Sequence, residues 1–86
     1  MTIKTNTPQQ VQLLYPIEHN GKKYETLTLR RSKVRDRLAI TKLNLSDEEK
    51  EIRLLANLAD ITPDVIEDLD ERDYQELQKV YLSFFK

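Results

Sequence analysis

The sequence predicts an α+β domain, an N-terminal β-hairpin followed by three or four short helices, and three observations support this. Apolar residues alternate at period two before residue 30 and recur at helical spacing after it. The only glycine, Gly21, follows Asn20 between the two alternating runs, where an Asn-Gly pair favours a hairpin turn. Every later segment opens on a helix-capping residue and carries an apolar stripe. Residues 11–86 are therefore expected to form one domain, with the hairpin over 11–30 and the helical part over 32–86. Residues 1–10, MTIKTNTPQQ, have no period and few apolar groups, and read as a flexible leader.

In the first strand, Val11, Leu13, Tyr15 and Ile17 alternate with Gln12, Leu14, Pro16 and Glu18. Pro16 has no N–H to donate, so this strand must lie at an edge or carry a bulge there. The return strand is Lys23 to Arg30. A two-residue Asn20-Gly21 turn pairs Ile17 with Tyr24 and Leu13 with Thr28. A three-residue loop with Gly21 in a bulge pairs Leu13 with Leu27 and Val11 with Leu29, and is preferred because it joins apolar faces, although it turns Tyr24 away. A two-stranded ribbon is not stable alone and must pack on the helices or on another chain.

Ser32 is the expected N-cap of a first helix over Lys33 to Lys42, with Val34 and Leu38, and Thr41 or Leu45, as its stripe. Ser46-Asp47-Glu48-Glu49 has the form of a capping box, and places acids where the helix dipole favours them. The second helix then runs to about Asp60, with Ile52, Leu55, Ala56 and Ala59 on one face and Leu54 and Leu58 beside them. Thr62-Pro63 opens a short third helix to Leu69, with Val65, Ile66 and Leu69 inward. Asp70 caps the fourth helix, with Asp73 at its third position. Tyr74, Leu77, Tyr81 and Phe84 form its stripe, which Val80 and Phe85 widen. This helix runs to the end of the sequence without a capping glycine, so its end must fray or be held by another group.

Composition narrows the function. The chain has 86 residues, no cysteine and one histidine, which excludes disulfides and thiolate metal sites and argues against any transition-metal centre. His19 reads as a solvated turn residue. The many acids lack the spaced ligands and central glycine of a calcium loop, and capping accounts for most of them. Ser32 and Ser46 serve better as caps than as nucleophiles, and no glycine-rich phosphate loop occurs. An enzyme is not expected, nor is a cofactor. No secretion signal or apolar run of membrane-spanning length is present, which points to a soluble protein of the cytoplasm.

Charge is segregated. Residues 22–42 hold eight Lys or Arg against Glu25 and Asp36, a net of +6, and residues 46–76 hold twelve acids against three bases, a net of −9. Arg30, Arg31, Lys33, Arg35 and Arg37 form a basic collar that suits a protein partner, pairing with acids of the same chain, or a nucleic acid, with residues 30–37 meeting phosphates. Against nucleic acid stand the sequence pI of about 5.8 and the lack of a recognition helix. At the other end, Tyr81, Phe84 and Phe85 lie in the last turns of a small domain, where complete burial is difficult, and are candidate binding anchors.

Five landmarks, Leu29-Arg30, Lys33-Val34-Arg35-Asp36, Thr62-Pro63, Leu69-Asp70 and Asp73-Tyr74, span most of residues 24–82. Together they resemble the small tail assembly chaperones of contractile-tailed, Mu-like phages and prophages, many of which carry proline where this chain has Ser32. The resemblance implies a non-enzymatic protein of the host cytoplasm that binds the tape measure protein, keeps it soluble, and brings tail-tube subunits to it. It also implies weak contacts repeated along an array and a longer product made by frameshifting, for which Phe84-Phe85 marks a possible slippery run; independently, self-association would add to the stability of a chain this small.

Overall fold

The computed structural model describes residues 8–85. Strands β1 (Gln9–His19) and β2 (Lys22–Leu29) form an antiparallel hairpin, and helices α1 (Val34–Thr41), α2 (Asp47–Ala59), α3 (Pro63–Glu67) and α4 (Glu71–Ser83) follow. The fold is thus α+β with four helices. Residues 1–7 of the expected leader lie outside the described residues. Gln9 and Gln10 already pair with Leu29 and Thr28, so β1 begins two residues before the expected start.

The preferred register, Leu13 with Leu27 and Val11 with Leu29, does not form, and the register of a two-residue turn holds only near the turn. Near the turn, Ile17 pairs with Tyr24 and His19 with Lys22, the register of a two-residue turn, with Asn20 and Gly21 both at positive φ. Farther along, Gln12 pairs with Thr26 and Val11 with Leu27. Between the two registers, residues 13–16 of β1 stand opposite Glu25 alone, so the irregularity lies in the strand around Pro16 rather than at Gly21.

Side-chain parity explains the placement. Tyr24 is an odd number of residues from Leu27 and Leu29, so a regular β2 turns it to the opposite face. Val11, Leu13 and Ile17 share one parity in β1. An odd offset in β1 is the way to let Ile17 match Tyr24 while Val11 matches Leu27. The bulge falls at the residue that cannot donate to a ladder in any case.

A bulge leaves amides without ladder partners, and here a distant side chain takes them. The Leu14 N–H donates to Asp73 Oδ1 and the Tyr15 N–H to Asp73 Oδ2, both at 3.0 Å. Asp73, at the third position of α4, is fully buried. Two charge-assisted hydrogen bonds and the positive end of the helix dipole offset its desolvation. Asp73 therefore clamps the hairpin to α4, a role its place in the helix-start pattern does not reveal.

The hairpin lays Val11, Leu13, Leu27 and Leu29 on the helices, where they join Leu54, Leu55, Ala56 and Leu58 of α2, Ile66, Leu69, Leu77 and Phe84 in one core. The local signals for α2 to α4 hold. Ser46 Oγ accepts from the Glu49 N–H while Glu49 accepts from the Ser46 N–H, and Asp70 Oδ1 accepts from the Arg72 N–H. Asp60 ends α2 in the left-handed region, and the Ile61 N–H donates back to the Ala56 carbonyl. Glu51 on α2 accepts from both the Tyr74 hydroxyl and the Gln78 amide on α4. Burial, then the Glu51 carboxylate, raises the Tyr74 pKa. His19 is not simply solvated: its Nδ1 lies 2.6 Å from Asp68 Oδ2 and ties the hairpin turn to the end of α3.

The first helix departs most from expectation. Its N-cap is Lys33 rather than Ser32, and the cap N–H is taken by Asp36 Oδ2 at 2.7 Å. Arg30 binds the same carboxylate through two N–H···O bonds of 2.9 Å. These contacts turn Asp36 inward, and Val34 and Leu38, on the opposite side, are 77% and 54% exposed rather than forming a core stripe. The Arg30 bond, then the Lys33 N–H, lowers the Asp36 pKa to about 2, with burial opposing them.

Two predictions follow from these carboxylates. Asp73→Ala removes the acceptor of two backbone N–H groups and is expected to destabilise the chain by about 3 kcal/mol in urea denaturation, with Asp73→Asn losing about half as much; an unchanged midpoint would show that the clamp is unimportant. Because the folded Asp36 pKa lies below its ordinary 3.8, its contribution is complete above about pH 4 and disappears as pH falls towards about 2. Arg30 is 44% exposed, so solvent screening limits that contribution to about 1–2 kcal/mol. Asp36→Asn should flatten this part of the stability–pH curve, and a variant with the same acid limb as wild type would contradict the assignment.

Candidate partner-binding surfaces

Of the basic collar, two members are committed within the chain. Arg30 holds Asp36, and this bond raises its own pKa. The Arg31 guanidinium donates to the Phe84 carbonyl at 2.9 Å and lies 5.5 Å from the centre of the Phe84 ring. A cation at the last carbonyls of a helix is favoured by the dipole, so Arg31 supplies the missing C-terminal cap. Lys33, Arg35 and Arg37 are exposed, and among the described residues none has a carboxylate within salt-bridge distance. The collar thus offers three free cations rather than five, a smaller footprint for a phosphate backbone than its sequence suggests.

The three C-terminal aromatics do not act alike. The helix ends at Ser83 rather than at the last residue, and the Phe84 and Phe85 N–H groups reach back to the Tyr81 and Leu82 carbonyls in a tighter turn. Phe84 is 7% exposed and belongs to the core, pinned by Arg31 on its ring and carbonyl; it is not an exposed anchor. Phe85 points outward at 57% exposure, beside Leu82 at 59%. Tyr81 is half-buried, and its ring meets that of Phe85 edge-on, with centroids 5.2 Å apart at 77°. Tyr81, Leu82 and Phe85 therefore form an apolar patch with a supported base and an exposed rim.

Sequence reasoning passed over Leu82, which stands outside the inward stripe. It also missed the outward Leu14 and Tyr15, each 56% exposed, on the bulge. The signal available for the bulge was Pro16; the signal for Leu82 was its place one residue after Tyr81, off the buried line. Among the described residues no group of three His, Cys, Asp or Glu could hold a metal ion, and no helix is long and apolar enough to cross a membrane.

The arrangement is a charged domain with small apolar surfaces at its edges, suited to holding another polypeptide. Comparison with known families agrees. The sequence model for phage tail assembly chaperone proteins, E, or 41 or 14, matches residues 10–86. No curated protein and no solved structure matches the chain. With the match extending from the first residues of the hairpin to the end of the sequence, the chain belongs to the family of phage tail assembly chaperone proteins.

Proposed function

We propose that the chain is a non-enzymatic chaperone of the host cytoplasm that binds the tape measure protein, keeps it in solution and helps tail-tube subunits assemble around it. The observation that carries this reading is the patch of Tyr81, Leu82 and Phe85 on a chain in which charged residues make up 34%. An exposed aromatic and leucine side by side offer an anchor for an apolar helix face, and the surrounding charge keeps a complex dispersed. Burial of Phe84 removes it from the anchor set and adds Leu82 in its place. Arg30 and Arg31 act by holding the framework, while Lys33 and Arg35 remain available to orient an acidic partner. The family membership supports tail assembly as the setting, and a longer product of the same gene is a further partner on this reading.

Co-expression with a tape measure gene from the same tail cluster tests the proposal. Leu82→Ala/Phe85→Ala is expected to retain wild-type stability within about 1 kcal/mol, since both side chains are largely exposed, yet to lose co-purification of soluble tape measure protein. Phe84→Ala should instead lower stability by about 3 kcal/mol through the cavity it leaves. Full solubilisation by the stable double variant would remove the patch from the binding surface.

A further inference from the structure

The hairpin is the whole sheet, so each strand has one edge that no other strand covers. In an antiparallel ladder every second residue turns its N–H and C=O to the neighbouring strand, and the residues between turn theirs away. The two strands are not alike in what meets them. On β1, the Leu14 and Tyr15 amides are taken by Asp73 of α4. Along β2, no backbone hydrogen bond joins Lys22–Leu29 to any element but β1 among the described residues.

A trough of about 420 Å³ runs beside β2, with residues 22–28 as one wall and residues 59–61, at the end of α2, as the other. Residues of both pleat faces line it and none of β1 does, so it follows the outer edge of the strand rather than one face. A second depression of about 470 Å³ continues it past Thr28 to Asn57 and Leu58. Just past β2 the Arg30 N–H donates to the Leu58 carbonyl at 3.1 Å and joins the two walls. The Ala59 carbonyl receives no backbone N–H among the described residues, because the residue four ahead of it is Pro63. Both walls thus present main-chain groups.

Charge decides what can enter. Lys22 and Lys23 stand exposed at the turn end, and neither has a carboxylate within salt-bridge distance among the described residues. The Lys22 Nζ lies instead 5.2 Å from the centre of the Tyr24 ring. Lysines on a sheet edge oppose indiscriminate pairing, and they admit a strand that brings acids to meet them. Glu25 and Asp60 also line the trough, so those acids have to lie at the lysine end. We propose that the outer edge of β2 takes an extended acidic segment of another protein as a third, antiparallel strand, with its C-terminal acids beside Lys22 and Lys23 and short side chains against Ala59. A row of unpaired main-chain donors and acceptors recognises an extended backbone, and two lysines at one end select its charge and direction. This surface is separate from Tyr81, Leu82 and Phe85, and its occupation does not depend on the client proposed above.

Amide exchange followed by NMR on the full chain, with the end-blocked peptide Ser-Val-Thr-Val-Thr-Asp-Glu as probe, tests this. The peptide should slow exchange at every second amide within residues 22–28, the period of a ladder, and leave the α4 amides unchanged. A peptide ending in Lys-Lys should bind more weakly, on the order of tenfold. Lys22→Glu/Lys23→Glu, which alters two exposed side chains, should reverse that preference. Methylating one alternate set of peptide nitrogens should abolish the protection. No protection at about 1 mM peptide, protection without the two-residue period, or equal binding by the methylated or lysine-ended peptide would each overturn the proposal. So would alternating protection in the chain without peptide, since the edge would then already be covered by a second copy or by the chain itself. Tape measure solubilisation is scored without the peptide, so failure here and failure of the chaperone reading are separable.

Discussion

Everything in this fold depends on how a hairpin with mismatched parity is held against helices. Tyr24 and Leu27 cannot face the same way in a regular strand, and the chain accommodates them by displacing β1 around Pro16. That displacement strands two amides, and the Asp73 carboxylate, 58 and 59 residues away in sequence, receives them. One buried side chain thereby couples strand register to the seating of α4. The same bond leaves the side chains of Leu14 and Tyr15 in solvent while their backbone is anchored, so the bulge displays apolar groups on a fixed support.

Charge is divided between framework and surface. Arg30 with Asp36 sets the rotation of α1, and that rotation decides that Val34 and Leu38 point outward. Arg31 closes α4 and orients Phe84 inward, which in turn decides that Phe85 is the exposed aromatic. Two residues of one basic run thus determine which apolar groups a partner can meet. The side chains of Lys33, Arg35 and Arg37 are exposed and, among the described residues, meet no carboxylate within salt-bridge distance. The residues that carry the family resemblance, Arg30, Asp36, Asp73 and Tyr74, have structural work here, whereas the exposed Leu14, Tyr15, Leu82 and Phe85 lie outside those landmarks.

Local signals were readable from sequence where the chemistry is local. Asn20-Gly21 marks the turn through its positive φ, Ser46 with Glu49 marks the start of α2 through reciprocal hydrogen bonds, and Pro63 at the first helical position marks α3, although the Thr62 side chain makes no cap bond. Long-range partners were not readable. Asp73 fits a helix start equally well with or without a strand to bind, and nothing in its neighbourhood announces Leu14 and Tyr15. Phe84 continues the line of Tyr74, Leu77 and Tyr81 and is the buried one of the adjacent pair, about 100° from Phe85 on a helix, but nothing beside it announces its contact with Arg31. The outward turn of α1 was hidden for a similar reason: Val34 and Leu38 have helical spacing, but a carboxylate between them, bound to Arg30, takes the inward side.

A chaperone built this way keeps a rigid support beneath its exposed apolar groups. The clamp between Asp73 and the bulge is the part of that support on which the register, the core and the exposed edge all rest, and hydrogen exchange of the Leu14 and Tyr15 amides probes it directly. If the account is right, both amides exchange only with global unfolding, although their side chains are more than half exposed. Exchange of these two amides as fast as that of an open loop, in a protein whose α4 amides remain protected, would contradict it.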